Sequence, residues 1–181
     1  MIKLWPMGTS ETVAKKFGKE LRRVMFTNPT TQKQEEFYLI GQRDWSVTLP
    51  ITKDNMVVAV SQYKQGCNKI ILELPAGTTD FKDESPETVA RRELLQETGY
   101  QAEKMIFLGP PLWMASRNSW TRFYVFVGLG CEKTQTVNMD SSEEIETVLI
   151  PYQRWLEMCQ SELEEPSAII ATFRAMKYCQ R

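Results

Sequence analysis

Glu93, Gln96 and Glu97 stand at i, i+3 and i+4 in the run PETVARRELLQET, residues 86–98. On a helix these three side chains project from one face, one turn apart. The spacing predicts that helix and its ends: Ser85 as N-cap, Pro86 at the first helical position and Gly99 just past the last turn. Carboxylates crowded in this way repel each other and raise each other's pKa unless a cation sits among them, and an oxygen-only donor set suits a hard ion, Mg²⁺ or Mn²⁺. A charged run of this kind also serves as a solvated helix face, so the surrounding residues have to decide between the two.

The stretch from Glu73 to Tyr100 reads ELPAGTTDFKDESPETVARRELLQETGY. It resembles the Nudix box, G-x5-E-x7-R-E-U-x-E-E-x-G-U with U aliphatic or aromatic, and Glu84, Arg92, Glu93, Leu94, Glu97, Gly99 and Tyr100 fall in register. Two positions depart from the pattern. Six residues instead of five separate Gly77 from Glu84, and Gln96 takes the first place of the Glu-Glu pair. The resemblance to the Nudix hydrolase family implies an α/β fold, an α/β/α sandwich around a mixed sheet. It also implies metal ligation by Glu93, Gln96, Glu97 and the Ala76 carbonyl, with Gly77, Glu84, Arg92 and Gly99 as structural residues of the motif. Arg92 would pair with a carboxylate, Glu84 being the one in reach, and so hold the loop on the helix.

Composition bounds the chemistry. The 181 residues contain no histidine, which excludes Ser-His-Asp and Cys-His catalysis and His-built zinc sites. A net charge of −1 supplies no general field for nucleic acid, which makes that partner unexpected. Cys67, Cys131, Cys159 and Cys179 form no CxxC pair, the N-terminus lacks the apolar run of a signal peptide, and no stretch approaches transmembrane length. A cytoplasmic protein without a membrane partner is expected.

Taken in order, residues 1–43 read as an N-terminal β extension and 44–181 as the Nudix hydrolase domain. Ser10 to Lys19 is polar with weak helical periodicity, whereas Leu21 to Thr27 and Glu36 to Ile40 are β-like runs flanking the turn-rich NPTTQK and predict a hairpin. Met25, Phe26, Phe37 and Tyr38 would leave that hairpin with exposed apolar surface, which predicts a homodimer that buries it. Strands are expected from Asp44, over Asn55 to Tyr63, Lys69 to Leu74, Lys104 to Leu108 and Trp120 to Leu129. Helices are expected at Tyr152 to Leu163 and Ser167 to Tyr178, the second burying Ile169, Ile170, Phe173 and Met176.

The segments VVAVSQYKQG and LELPAG are similar to the ADP-ribose and nucleoside diphosphate sugar pyrophosphatase branch of the family. That likeness implies an aromatic from the N-terminal element stacked on adenine, Phe37 first and Trp45 second, and phosphate or sugar contacts from Arg43, Lys64 and Arg117. Lys64 stands where the branch has arginine; it keeps the charge and loses the bidentate fork. The loop GPPLWMASRNS would itself put Arg117 on a phosphate and Trp113 or Trp120 near the base or terminal sugar. A general base is implied in the late acidic loop, Glu143 or its neighbour Glu144.

The expected reaction is Mg²⁺-dependent hydrolysis, with Mn²⁺ as substitute, of the diphosphate of ADP-ribose or a related nucleoside diphosphate sugar to NMP and sugar phosphate. Hydrolysis of another diphosphate (a dinucleotide, a nucleoside triphosphate, capped RNA) and a non-catalytic nucleotide-sugar sensor, suggested by Gln96, stay open.

Overall fold

The computed structural model describes residues 1–79, 84–136 and 144–179. Its elements in chain order are β1 (Met7–Lys16), β2 (Lys19–Thr27), β3 (Gln34–Gly41), β4 (Trp45–Thr52), β5 (Met56–Lys64), β6 (Lys69–Glu73), β7 (Ala76–Thr78), α1 (Pro86–Thr98), β8 (Tyr100–Gln101), β9 (Lys104–Phe107), β10 (Leu112–Trp113), β11 (Arg122–Lys133), β12 (Ile145–Pro151), α2 (Tyr152–Ser161) and α3 (Pro166–Cys179). Two compact units result: Met1–Asp44 with Leu112–Phe123, and Trp45–Pro111 with Tyr124–Arg181.

The first unit holds a three-stranded antiparallel sheet, β1-β2-β3. The hairpin expected from the β-like runs is β2 and β3, paired from Thr27↔Gln34 to Glu20↔Gly41. The segment from Ser10 is not helical. It belongs to β1, joined to β2 by the two-residue turn Phe17-Gly18, both at positive φ (49° and 75°), the geometry that closes a tight hairpin. Pairing with β2 overrides the weak helical periodicity, and Thr9, Thr12 and Val13 suit a strand. Phe26 and Phe37 are half-buried instead of bare: their rings meet edge to face at 5.6 Å, and Trp5 closes on Phe37 at 6.0 Å. Tyr38 stays exposed.

The second unit carries the main sheet, in which β4, β5 and β12 are consecutive neighbours. Val57, Val58, Ala59 and Val60 are all buried, so β5 is covered on both faces. On β4, Ser46 donates to the Pro86 carbonyl (2.8 Å) and Thr48 to the Ala90 carbonyl (3.5 Å), which fixes α1 over that face. Val47, Leu49 and Ile51 alternate to the opposite face of β4, against which α3 packs. The layers are helix, sheet, helix, the α/β sandwich expected.

Within α3 the buried face is not Ile169, Ile170, Phe173 and Met176. It is Ala168, Ala171, Thr172, Ala175 and Cys179, while Phe173 is 75% exposed and Met176 is exposed as well. A stripe of small side chains lets the helix backbone approach the sheet closely, and the space is filled from elsewhere by Trp155 of α2, fully buried with Nε1 donating to Thr172 Oγ1 at 2.7 Å. Among the described residues no helix is long and apolar enough to cross a membrane.

Candidate active site

Helix α1 begins and ends as its residues dictate. Ser85, in extended conformation, accepts from Thr88 N at 3.1 Å; Pro86 follows it; Gly99 adopts the left-handed conformation and donates its N–H to the Leu95 carbonyl at 2.9 Å. Val89, Ala90 and Leu94 face the sheet, which turns Glu93 and Glu97 toward the start of β7. Glu97 Oε2 accepts from the Ala76 N–H at 3.1 Å. A Cβ built on Gly77 would collide with the carboxylate of Glu93, so only glycine leaves room for that side chain.

Arg92 organises the outer side of the cluster. Its Nε and Nη2 bind the two oxygens of Glu84 (3.1 and 3.3 Å), Nη2 also reaches the Thr78 carbonyl (2.9 Å), and Nη1 donates to Glu93 Oε1 (2.7 Å) and Gln96 Oε1 (3.1 Å). One guanidinium therefore ties the β7 end, residue 84 and two of the three helix-face groups together.

Burial, and after it the charge of Glu93, push the Glu97 carboxyl up to about 8, against the pull of its bond from Ala76. Glu73, buried at the end of β6, is likewise raised by burial and held back by Lys64, whose Nζ lies 2.5 Å from its Oε1. Crowded oxygen donors with a raised pKa fit a hard divalent cation, since the cation would relieve the repulsion. Glu93, Glu97 and the Ala76 backbone form the set that could hold it, with Gln96 as an exposed neutral oxygen at the rim. Among the described residues no three carboxylates or thiols converge to make a site unaided.

The residues expected to contact substrate divide between the units. Lys64 and Trp45 belong to the second, with Trp45 opening β4 opposite Thr78. Phe37, Arg43 and Arg117 belong to the first. There Phe37 and Arg117 line one cavity of about 770 Å³ together with Trp5, Trp113, Trp120 and Glu35. Arg43 lines a smaller one of about 310 Å³ on which Trp120 also borders. The loop carrying Arg117 is anchored in its own unit: Ile40 N donates to the Asn118 carbonyl at 2.8 Å, and Arg22 lies over the Trp120 ring at 4.5 Å.

Glu143 lies outside the described residues; Glu144 is exposed immediately before β12. In the sequence Glu73 is only one polar position in an aliphatic strand, and Trp5 carries no signal beyond its neighbour Pro6. A buried acid beside a lysine of the adjacent strand is the signal that pairing the two strands would have exposed.

The comparisons with known proteins agree with this geometry. The family model for the NUDIX domain matches residues 42–169. A methanol dehydrogenase activator of Bacillus methanolicus is 38% identical over 85 residues, 47% of this chain and 44% of its own length. An ADP-ribose pyrophosphatase of Bacillus subtilis (strain 168) is 40% identical over 57 residues, 32% of this chain and 30% of its own. The matches thus span less than half the length of these curated relatives. A solved ADP compounds hydrolase superposes with a TM-score of 0.84 at 19% identity, over 98% of this chain and 95% of the other, which shows the shared fold. With the box residues in register on α1 and a family match over most of the sequence, this chain belongs to the Nudix family.

Proposed function

We propose that the protein is a divalent-metal-dependent pyrophosphohydrolase acting on ADP-ribose or a related nucleoside diphosphate sugar, releasing NMP and sugar phosphate. The observation that carries this reading is the carboxylate pair of α1 turned onto the Ala76-Gly77 backbone, with Glu97 raised to about 8 by burial and by Glu93. The likeness to the B. subtilis ADP-ribose pyrophosphatase supports the substrate class.

Mg²⁺, when bound by Glu93, Glu97 and the Ala76 carbonyl, would polarise the phosphoryl oxygens and lower the pKa of water. The chain's own residues do the rest. Arg92 fixes the Glu93 rotamer, Gly77 keeps the backbone out of its way, and Glu143 or Glu144 takes the proton of the attacking water. The aromatic cavity of the first unit suits a nucleobase, with Phe37, Trp113 and Trp120 as stacking surfaces and Arg117 for an anionic group. Residues 44–181 form the hydrolase domain and 1–43 its β extension. Of the apolar patch expected to drive a homodimer, Met25, Phe26 and Phe37 are half-buried and Tyr38 is exposed; the exposed Met7, Val13 and Ile40 of the extension add to what a second copy would cover, and the four free cysteines accord with the cytoplasm.

The test is turnover of a panel of nucleoside diphosphate compounds with Mg²⁺, comparing the protein with Glu93→Gln and Glu97→Gln. Each substitution is expected to lower turnover by about two orders of magnitude or more while the circular dichroism spectrum is unchanged. Full activity in Glu97→Gln would remove this site. Light scattering that shows a monomer at every concentration would remove the dimer.

A further inference from the structure

Strands β5 and β6 pair with Val60 opposite Glu73 and Lys64 opposite Lys69. Lys64 and Glu73 are therefore four positions apart along the ladder, on the order of 13 Å of strand. Yet Lys64 Nζ reaches Glu73 Oε1 at 2.5 Å, donating on the way to Gln62 Oε1 at 2.7 Å. The lysine is bent back along the strand instead of extending into water, and holding four rotatable bonds that way opposes its rotamer entropy. The carboxylate it meets is only 8% exposed and would be expensive to leave unpaired. Three residues beyond Glu73, the Ala76 N–H binds Glu97, so the ammonium stands on the flank of the acidic cluster. Its charge acts on Glu97 in opposition to those of Glu93 and Glu73.

We infer that Lys64 and Glu73 are positioning residues that set how tightly the Glu93–Glu97 cluster holds a divalent cation: Glu73 strengthens the hold and pins Lys64 in place, and Lys64 weakens it. Lys64 opposes part of the carboxylate repulsion without taking the oxygens of Glu93 and Glu97, whereas Glu73 adds to it. This rests on the metal site proposed above.

The test is the dissociation constant for Mn²⁺, read from the electron paramagnetic resonance signal of the free ion without substrate. Glu73→Gln is expected to weaken binding and Lys64→Met to tighten it, each by at least on the order of fivefold, the effect of one charge on a nearby divalent ion even at the dielectric of water. The double variant should return close to the parent, and Lys64→Arg, which keeps the charge, should match it. A melting curve for each variant confirms that it is folded. Both single variants weakening binding alike, or neither moving it, would overturn the inference, because a merely structural pair has no reason to act with opposite signs. A parent protein that binds no Mn²⁺ overturns the metal site itself, an outcome distinct from variants that fail to diverge. If Lys64→Met does not fold, Lys64→Gln and the salt dependence of the Glu73→Gln shift decide the same question.

Discussion

Gly77 lies against the carboxylate of Glu93 so closely that no other L-residue fits there while Glu93 keeps its place. The relationship joins β7 to α1 through one missing methyl group. It explains why the glycine of the motif is needed even where the spacing to Glu84 is one residue longer.

Gly77→Ala should therefore displace Glu93. Because the clash is with the far end of a long side chain, the expected effect is a displaced carboxylate and little loss of stability. Mn²⁺ binding should weaken as that carboxylate moves, whereas alanine at the exposed Gly66, where an added Cβ meets nothing, should leave it unchanged. Calorimetric titration of the two variants checks this; a Gly77→Ala protein with parental Mn²⁺ affinity would contradict the arrangement.

Glu97 links stability to pH. Its folded-state pKa of about 8 exceeds the usual 4.5, so in the metal-free protein the folded state keeps a proton that the unfolded chain has released. This contribution to stability is full below about 4.5 and is lost as pH rises through about 8. Melting temperatures in EDTA should fall across that window, and Glu97→Gln should flatten the dependence. Added Mg²⁺ should reverse it by favouring the ionised carboxylate.

Gln96 accepts from Arg92 Nη1 at 3.1 Å and brings no charge to the helix face. Glutamate there is nearly isosteric and adds a negative charge that attracts further cations. Gln96→Glu is expected to raise the hydrolysis rate, most clearly at low Mg²⁺, over a slow but measurable parent rate. A rate that stays level or drops over the whole Mg²⁺ range would mean that a carboxylate was never needed here.

The two faces of α3 should differ in their response to substitution. Ala171→Leu forces bulk between the helix and the sheet and should destabilise by about 1–3 kcal/mol. Phe173→Ala, at an exposed position, should stay within about 0.5 kcal/mol. Urea denaturation distinguishes them, and equal losses would mean that the helix is rotated from the face described.

The ends of α1 and the shared face of Glu93, Gln96 and Glu97 were determined by the sequence alone, because an N-cap, a left-handed glycine and the i, i+3, i+4 spacing act within a few residues. The same locality made the β2–β3 hairpin readable, and the Phe17-Gly18 turn carried a signal of the same kind that weak helical periodicity outweighed. Only the tertiary structure decided which side of α3 is core. Its apolar residues are bulkier on the exposed face, and the close approach of small residues to β4 governs burial there more than hydrophobicity does. Likewise Lys64 finds Glu73 four positions along a neighbouring strand, and Trp5, Phe37 and Arg117 meet in one cavity from segments far apart in the chain. Those encounters depend on strand register and loop anchoring, which are long-range properties that no local pattern of residue types encodes.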